Sequence, residues 1–129
     1  MRYIGKINRD IYKCITEDIT TEDVIITDER IQHIKEHHPR HFEIVAPFLQ
    51  NALEEPDYIL EDSDKSGLLL KKIEENGLQI QVVLRIQTSA DTDGFKNSVI
   101  SAWKIRDKEY NRLIRNKNIL YKRRMKVLK

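Results

Sequence analysis

A run of alternating apolar residues at positions 78–86 constrains the fold of this chain more than any other feature. Every second residue there is apolar, namely Leu78, Ile80, Val82, Leu84 and Ile86. Strict alternation predicts a β-strand that turns one face toward a core. The dipeptide Asn76-Gly77 comes just before it and favours a tight hairpin turn. The segment therefore predicts an antiparallel pair with a strand at residues 67–73.

Further segments predict the rest of the sheet. Residues 58–62 and 98–105 have strand character, and alternation in the second places Val99, Ser101 and Trp103 on one face. A turn at residues 91–94 separates that strand from the hairpin. We expect a four-stranded antiparallel meander, with residues 119–122 as a short last strand.

The N-terminal half predicts helices after an extended start. Residues 2–15 alternate in two pieces around Asn8-Arg9-Asp10, which predicts a hairpin or a bent strand. A helix follows, capped by Thr27 or Asp28 and ended by Pro39. A second helix at residues 42–53 has Pro47 in its first turn if it begins at Ala46. A third, basic helix is predicted at residues 107–116.

The order of these elements predicts an α+β fold, with N-terminal helices on one face of a four-stranded antiparallel sheet and a basic helix near the C-terminus. A chain of 129 residues suits a single domain. We divide residues 1–129 into an N-terminal hairpin at 2–15, a core at 23–121 and a basic tail at 122–129.

Composition indicates a globular protein, with 40% hydrophobic and 34% charged residues. The sequence has no apolar run of the ~18 residues that a membrane-spanning helix needs, and its N-terminus is too polar for a signal peptide. The single cysteine, Cys14, cannot form an internal disulfide. We therefore expect a cytoplasmic protein.

The net charge of +2 hides a strong asymmetry. Residues 104–129 carry 11 Lys and Arg against two acids, a net +9, which leaves a net −7 on residues 1–103. A basic C-terminal region favours a polyanionic partner, most simply a nucleic acid. A solvated helix face or a frayed tail would have the same composition.

All four histidines fall within nine residues, at His33, His37, His38 and His41. Histidine is the side chain best suited to proton transfer near neutral pH. At 100° per residue His38 lies on the core side of the predicted helix, whereas His33 and His37 lie on a separate face, four residues apart. The pattern His-x-x-Glu-His at residues 33–37 also matches a zinc signature. We set zinc aside because hydrolases with this motif are far larger than 129 residues, and we expect neither a metal nor another cofactor.

Metal-independent cleavage of RNA needs three groups. A base removes the proton of the 2′-OH, an acid protonates the leaving 5′-oxygen, and a fixed cation balances charge on the phosphate. Histidines can supply the first two roles. Lys71 and Arg85 each interrupt an apolar strand and are candidates for the third, although a lysine on a strand is more often solvated.

Five blocks of the sequence resemble the phage-type nucleases of the barnase–EndoU–colicin–RelE superfamily. They occur in the family's order at residues 24–39, 55–59, 70–73, 81–85 and 96–103. The resemblance extends from about Ile4 to Tyr121 and implies a barnase/RelE-like fold. It further implies a metal-independent endoribonuclease, often encoded by bacterial phages or mobile elements and often acting as a toxin. A toxin would add an acidic cognate inhibitor as a partner.

The resemblance also implies site residues. The catalytic set comprises His33, His38, Lys71 and Ser101. The expected substrate-binding residues are Arg85, Asn97, Ser98, Trp103, Lys122 and Arg123. Which histidine is the acid stays open, and Trp103 either stacks on a base or packs in the core. A non-catalytic binding module on the same fold is the alternative, and it does not require the catalytic set to face one cleft.

Overall fold

The structure, a computed structural model, describes residues 1–92 and 94–124. Its strands lie in a single mixed sheet. In chain order they are β1 (Arg2–Lys6), β2 (Asp23–Ile26), β3 (Tyr58–Glu61), β4 (Ser66–Lys72), β5 (Gln79–Arg85), β6 (Asn97–Ile105) and β7 (Ile119–Lys122).

The helices lie between these strands along the chain. They are α1 (Arg9–Tyr12), α2 (Asp28–His37), α3 (His41–Val45), α4 (Leu49–Glu54) and α5 (Asp107–Asn116). A 3₁₀ turn at Ala46–Phe48 joins α3 to α4 and holds Pro47 in its first turn. The single helix predicted at residues 42–53 is therefore divided in two, because proline removes a backbone donor inside it.

The seven strands have the spatial order β1-β2-β6-β5-β4-β3-β7. The predicted meander forms the contiguous antiparallel part, β6-β5-β4-β3. The prediction of four strands was nevertheless wrong, because β7 extends the sheet beyond β3, and β2 extends it beyond β6. The β2–β6 pair is parallel, so the sheet is mixed. A parallel pair of strands far apart in the chain leaves no local turn signal.

Residues 2–15 do not form the predicted hairpin. Strand β1 pairs with β2 instead, and α1 follows it directly. The Asn8 side chain accepts a hydrogen bond from the backbone N–H of Asp10 at 2.9 Å, which caps this turn of helix. The same Asn8-Arg9-Asp10 sequence that favours a turn therefore begins a helix.

The two faces of the sheet carry different helices. Helices α2, α3 and α4 pack on a first face that includes Ile80, Val82 and Leu84, all fully buried. Helix α5 packs on a second face through Leu113, beside Leu68. The prediction of N-terminal helices on a four-stranded sheet does not match this arrangement, because β1 precedes the helices and the chain crosses the second face through α5 to place β7 next to β3.

Strand β6 contains one irregularity that matters for the site. Val83 pairs with Ser101 and Leu84 pairs with Val99, so Ile100 is an extra residue in this strand. The bulge shifts the alternation by one position. Val99 points to the first face, while Ser101 and Trp103 belong to the second, so these three residues do not share a face as predicted.

Among the described residues, no helix is long and apolar enough to cross a membrane.

Candidate active site

Helix α2 positions the histidines. The Thr27 hydroxyl accepts a hydrogen bond from the backbone N–H of Arg30 at 3.2 Å and caps the helix, as predicted. Ile31 and Ile34 are buried and fix the helix on the first face. The helix ends at His37, just before Pro39. Helix α2 packs beside β6.

The rings of the four histidines form two pairs within nine residues, together called the histidine cluster. The rings of His33 and His37 have centroids 4.2 Å apart, and those of His38 and His41 are 5.4 Å apart. His38 also stacks on Trp103, with centroids 4.5 Å apart and planes within 9°. The structure thus pairs His33 with His37 and places His38 between His41 and Trp103.

Burial and charge act together on two of these histidines. Burial lowers the pKa of His38 below its ordinary value, and the charges of His37 and His33 lower it further. Burial likewise lowers the pKa of His41, with contributions from His38 and Lys104. The neutral imidazole is therefore favoured at both positions near neutral pH, as a general base requires.

His41 was not predicted to take part in the site. Its Nδ1 accepts a hydrogen bond from the backbone N–H of Lys104 at 3.3 Å, which leaves the proton of the neutral ring on Nε2. The sequence offered no signal for this contact, because it joins α3 to β6 across 63 residues.

Ser101 and Trp103 are half-buried on the second face of the sheet. They pair across β5 with Val83 and Gln81 in a regular stretch of the ladder. Residues two apart in a strand lie on the same side of the sheet. Ser101 is therefore a neighbour of the ring on which His38 stacks.

Lys71 lies on the opposite face from Ser101. It pairs with Ile80, whereas Leu68, three positions earlier in β4, pairs with Val83 and through it with Ser101. Two residues an odd number of positions apart in a regular strand point to opposite faces of the sheet. The structure therefore does not bring Lys71 and Ser101 to one side of the sheet, as the predicted catalytic set requires.

The ammonium group of Lys71 is also occupied. Only 6% of the residue is exposed, and its Nζ donates to the backbone carbonyl of Glu55 at 2.7 Å. Nζ lies 3.6 Å from Oδ1 of Asp57, and Nε of Arg123 lies 2.9 Å from the same atom. These groups form a cation–carboxylate cluster that joins β4, β7 and the end of α4.

Arg85 is similarly engaged. Its Nη2 donates to Oδ1 of Asp91 at 2.9 Å. The backbone N–H of Thr88 donates to the other carboxylate oxygen at 2.9 Å, and this hydrogen bond is the main reason that the pKa of Asp91 lies far below its ordinary value. Arg85 thus stabilises the loop after β5.

Asn97 has a structural position. It is fully buried, its Oδ1 accepts from the backbone N–H of Gln87 at 2.7 Å, and its Nδ2 donates to the carbonyl of Thr21 at 2.7 Å. Both ends of the amide are therefore used inside the protein. Its neighbour Ser98 is half-buried and pairs with Ile25 and Arg85.

The two basic C-terminal residues of the predicted site differ in their contacts. Arg123 pairs with Glu55 at 3.0 Å and with Asp57. Lys122 is exposed, and its Nζ lies 5.9 Å from the centre of the Tyr58 ring. Residues 125–129, the rest of the predicted basic tail, lie outside the described residues.

The exposed side of α2 borders an open depression of about 350 Å³. Its lining consists of Glu29, Arg30, Gln32, His33 and Glu36. Within residues 1–92 and 94–124, no group of three or more His, Cys, Asp or Glu side chains is arranged to hold a metal ion. The His33–His37 pair therefore has no third metal-ligating side chain in this part of the chain.

Comparison with known proteins gives one match. A family model described as phage-Barnase-EndoU-ColicinE5/D-RelE like nuclease2 matches residues 1–122. No curated protein and no solved structure matches the chain. The matched region contains α2, β6 and the whole histidine cluster, and it confirms the family resemblance inferred from the sequence blocks.

Proposed function

Since the chain belongs to the phage-Barnase-EndoU-ColicinE5/D-RelE like nuclease2 family, we propose that it is an endoribonuclease that cleaves RNA by transesterification to a 2′,3′-cyclic phosphate. The observation that supports this proposal best is the histidine cluster stacked against Trp103 in a member of a nuclease family. Such a cluster provides proton donors and acceptors within one site.

In this proposal His38 is the base and His33 is the acid. The lowered pKa of His38 favours the neutral ring, which can take the proton of the 2′-OH. His33, on the exposed side of α2, delivers a proton to the 5′-oxygen as it leaves. Ser101 donates a hydrogen bond to a phosphate oxygen.

The fixed cation is assigned to Lys104 rather than Lys71. Ile80 pairs with both lysines, so both lie on the first face, but Lys71 is buried and its ammonium group is held by Glu55 and Asp57. Lys104 is exposed, its backbone contacts His41, and its charge lowers the pKa of that histidine. A lysine at this position can balance negative charge that develops on the phosphate.

RNA is the proposed partner, and a phage or mobile-element toxin with an acidic inhibitor is the proposed setting. The exposed Lys122 and the basic side chains of α5 would contact RNA phosphates. Each phosphate contact releases counterions, so binding is expected to weaken steeply as salt concentration rises.

The first test is cleavage of a structured RNA by the full chain in EDTA. We expect products with cyclic phosphate ends and a loss of about 100-fold or more in rate for His38→Ala and His33→Ala. Lys35→Ala, an exposed change on the same helix, is the matched control and should retain the wild-type rate.

A second substrate tests the mechanism directly. One 2′-deoxy nucleotide at the cleavage position removes the attacking hydroxyl, so cleavage there should stop while neighbouring sites are still cut. Loss of all activity in EDTA would indicate a metal-dependent nuclease instead. Cleavage of the deoxy substrate would exclude transesterification.

The placement of Lys71 favours one other function, a module that binds nucleic acid without cleaving it. A binding module needs no convergence of the catalytic set, and Lys71 does not converge with Ser101. The same gel distinguishes the two. Intact RNA that is retarded at low salt, with no effect of His38→Ala, would identify a binding module.

A further inference from the structure

We propose that Trp103 is a positioning residue that fixes the ring plane of His38 for proton transfer and favours the charged imidazolium by face-to-face stacking. This inference rests on the proposed ribonuclease function, in which His38 is the base. It gives Trp103 a role distinct from both base stacking and simple core packing.

The orientation of the His38 ring is set by its stacking on Trp103 and not by the local backbone. His38 follows the last residue of α2, with φ −134° and ψ 71°, outside the helical region. Its backbone N–H still donates to the carbonyl of Ile34 at 2.7 Å, which holds the main chain. The contact that defines the ring plane is the parallel indole of Trp103, within 9°.

Stacking leaves the edge of the imidazole available. Among the described residues, no hydrogen bond is made to either ring nitrogen of His38, in contrast to His41, whose Nδ1 accepts from Lys104. A ring held by its face keeps both nitrogens free for a substrate hydroxyl. This is the arrangement that a general base requires.

The indole also affects the charge state of His38. An aromatic face attracts a cation, so the stack favours the protonated ring. Burial of His38 and repulsion from His37 and His33 lower its pKa and so act in the opposite direction. The charged and titratable groups around His38 are His33 and His37 on α2, His41 on α3 and Lys104 on β6. The stack therefore opposes several effects that favour the neutral form.

The bulge in β6 supports a specific role for this position. If β6 were regular over residues 99–103, strict alternation would place Trp103 on the same face as Val99, in the core. Bulges often redirect a side chain next to a functional site. Here the bulge turns Trp103 and Ser101 together to the other face.

Fluorescence tests the His38–Trp103 contact without RNA. Trp103 is the only tryptophan of the chain, and a protonated imidazole in contact quenches indole emission. We expect emission to fall as the pH is lowered through the titration of His38, and this transition should vanish in His38→Gln. His41→Gln, which alters the neighbouring ring, should retain it. A transition unchanged in His38→Gln would overturn the contact.

Kinetics test its catalytic importance. Trp103→Leu should lower kcat about tenfold with little change in KM, because ring orientation is lost but RNA contacts remain. The acid limb of its pH–rate profile should move to lower pH by about half a unit, since the cation–aromatic attraction is lost. Trp103→Phe should restore most of kcat and of the profile.

The outcomes separate this inference from the proposed function. Wild-type protein that fails to cleave RNA contradicts the function, whereas the fluorescence titration still decides the contact. An active wild type with an unaltered kcat and pH profile in Trp103→Leu overturns the positioning role. A Phe variant as impaired as the Leu variant, with both folded by circular dichroism, also overturns it.

Discussion

At the scale of single residues, one position of strand register separates Lys71 from the site predicted for it. Its neighbours Leu70 and Lys72 pair with Gln81 and Gln79 on the second face, whereas Lys71 itself points to the first. A lysine that interrupts an apolar strand gives the same sequence signal whether it serves a site or a buried ion pair. The partners that decide the matter, Glu55 and Asp57, lie more than ten residues away.

The variant Lys71→Met should affect stability more than turnover. Loss of the Lys71 ammonium group leaves the Glu55 carbonyl without a hydrogen-bond donor and Asp57 with one cation fewer. The free energy of unfolding should therefore fall by about 2–4 kcal/mol. We expect kcat of the folded variant to stay within about threefold of wild type, a change of less than 1 kcal/mol.

Denaturant unfolding and initial cleavage rates would measure these effects, with the exposed neighbour Lys72→Met as control. A variant of normal stability whose kcat falls by two orders of magnitude would instead give Lys71 a catalytic role.

At the scale of elements, local signals predicted the C-terminal half well, the N-terminal elements less well and long-range pairing poorly. Helix α5 and strand β7 occur where the sequence predicts them, because the spacing of apolar residues is a local signal. The β4–β5 hairpin also matches, with Gly77 at φ +70° as the Asn76-Gly77 turn requires. The parallel β2–β6 contact and the bulge at Ile100 could not be predicted, since both depend on partners distant in the chain.

The same limit applies to the site. Helical spacing predicted different sides for His33 and His38, whereas His38 follows the last residue of α2 and leaves the helical conformation. The contacts of His38 with Trp103 and of His41 with Lys104 join separate elements, so no local pattern indicates them.

The docking of α5 on the second face gives a prediction for a whole element. Leu113 is 4% exposed and packs against Leu60, Leu68 and Leu70. Leu113→Ala should therefore lower the free energy of unfolding by about 3 kcal/mol. The exposed Arg115→Ala on the same helix should change it by less than about 0.5 kcal/mol. Chemical denaturation measures both, and equal small effects would contradict the docking.

At the scale of the molecule, the histidine cluster should make stability depend on pH. The pKa values of His38 and His41 are lowered in the folded protein from an ordinary 6.5, so the unfolded chain binds more protons near that pH. Stability is then greatest above about pH 6.5 and falls as the pH drops through the range below it.

Urea unfolding between pH 8 and 5 would test this dependence. The double variant His38→Gln/His41→Gln should flatten the decline, while the exposed Lys35→Ala should leave it unchanged. An equally steep decline in the double variant would assign the effect to other groups. Asp91 also stabilises the folded protein through its lowered pKa. This stabilisation is lost by protonation of Asp91 in a separate, more acidic range, below its ordinary pKa of 3.8.

The place of β6 in the sheet has a consequence for the synthesis of the protein. Strand β6 lies between β2 and β5, and it carries the indole on which His38 stacks. Domains fold as their chains leave the ribosome, from the N-terminus onward. When a ribosome has translated α2 but not yet β6, His38 lacks the indole of Trp103 on which it stacks. The β1–β2 pair also lacks β6, its neighbour in the sheet. The proposed nuclease would thus stay inert toward its own messenger until β6 has emerged from the ribosome.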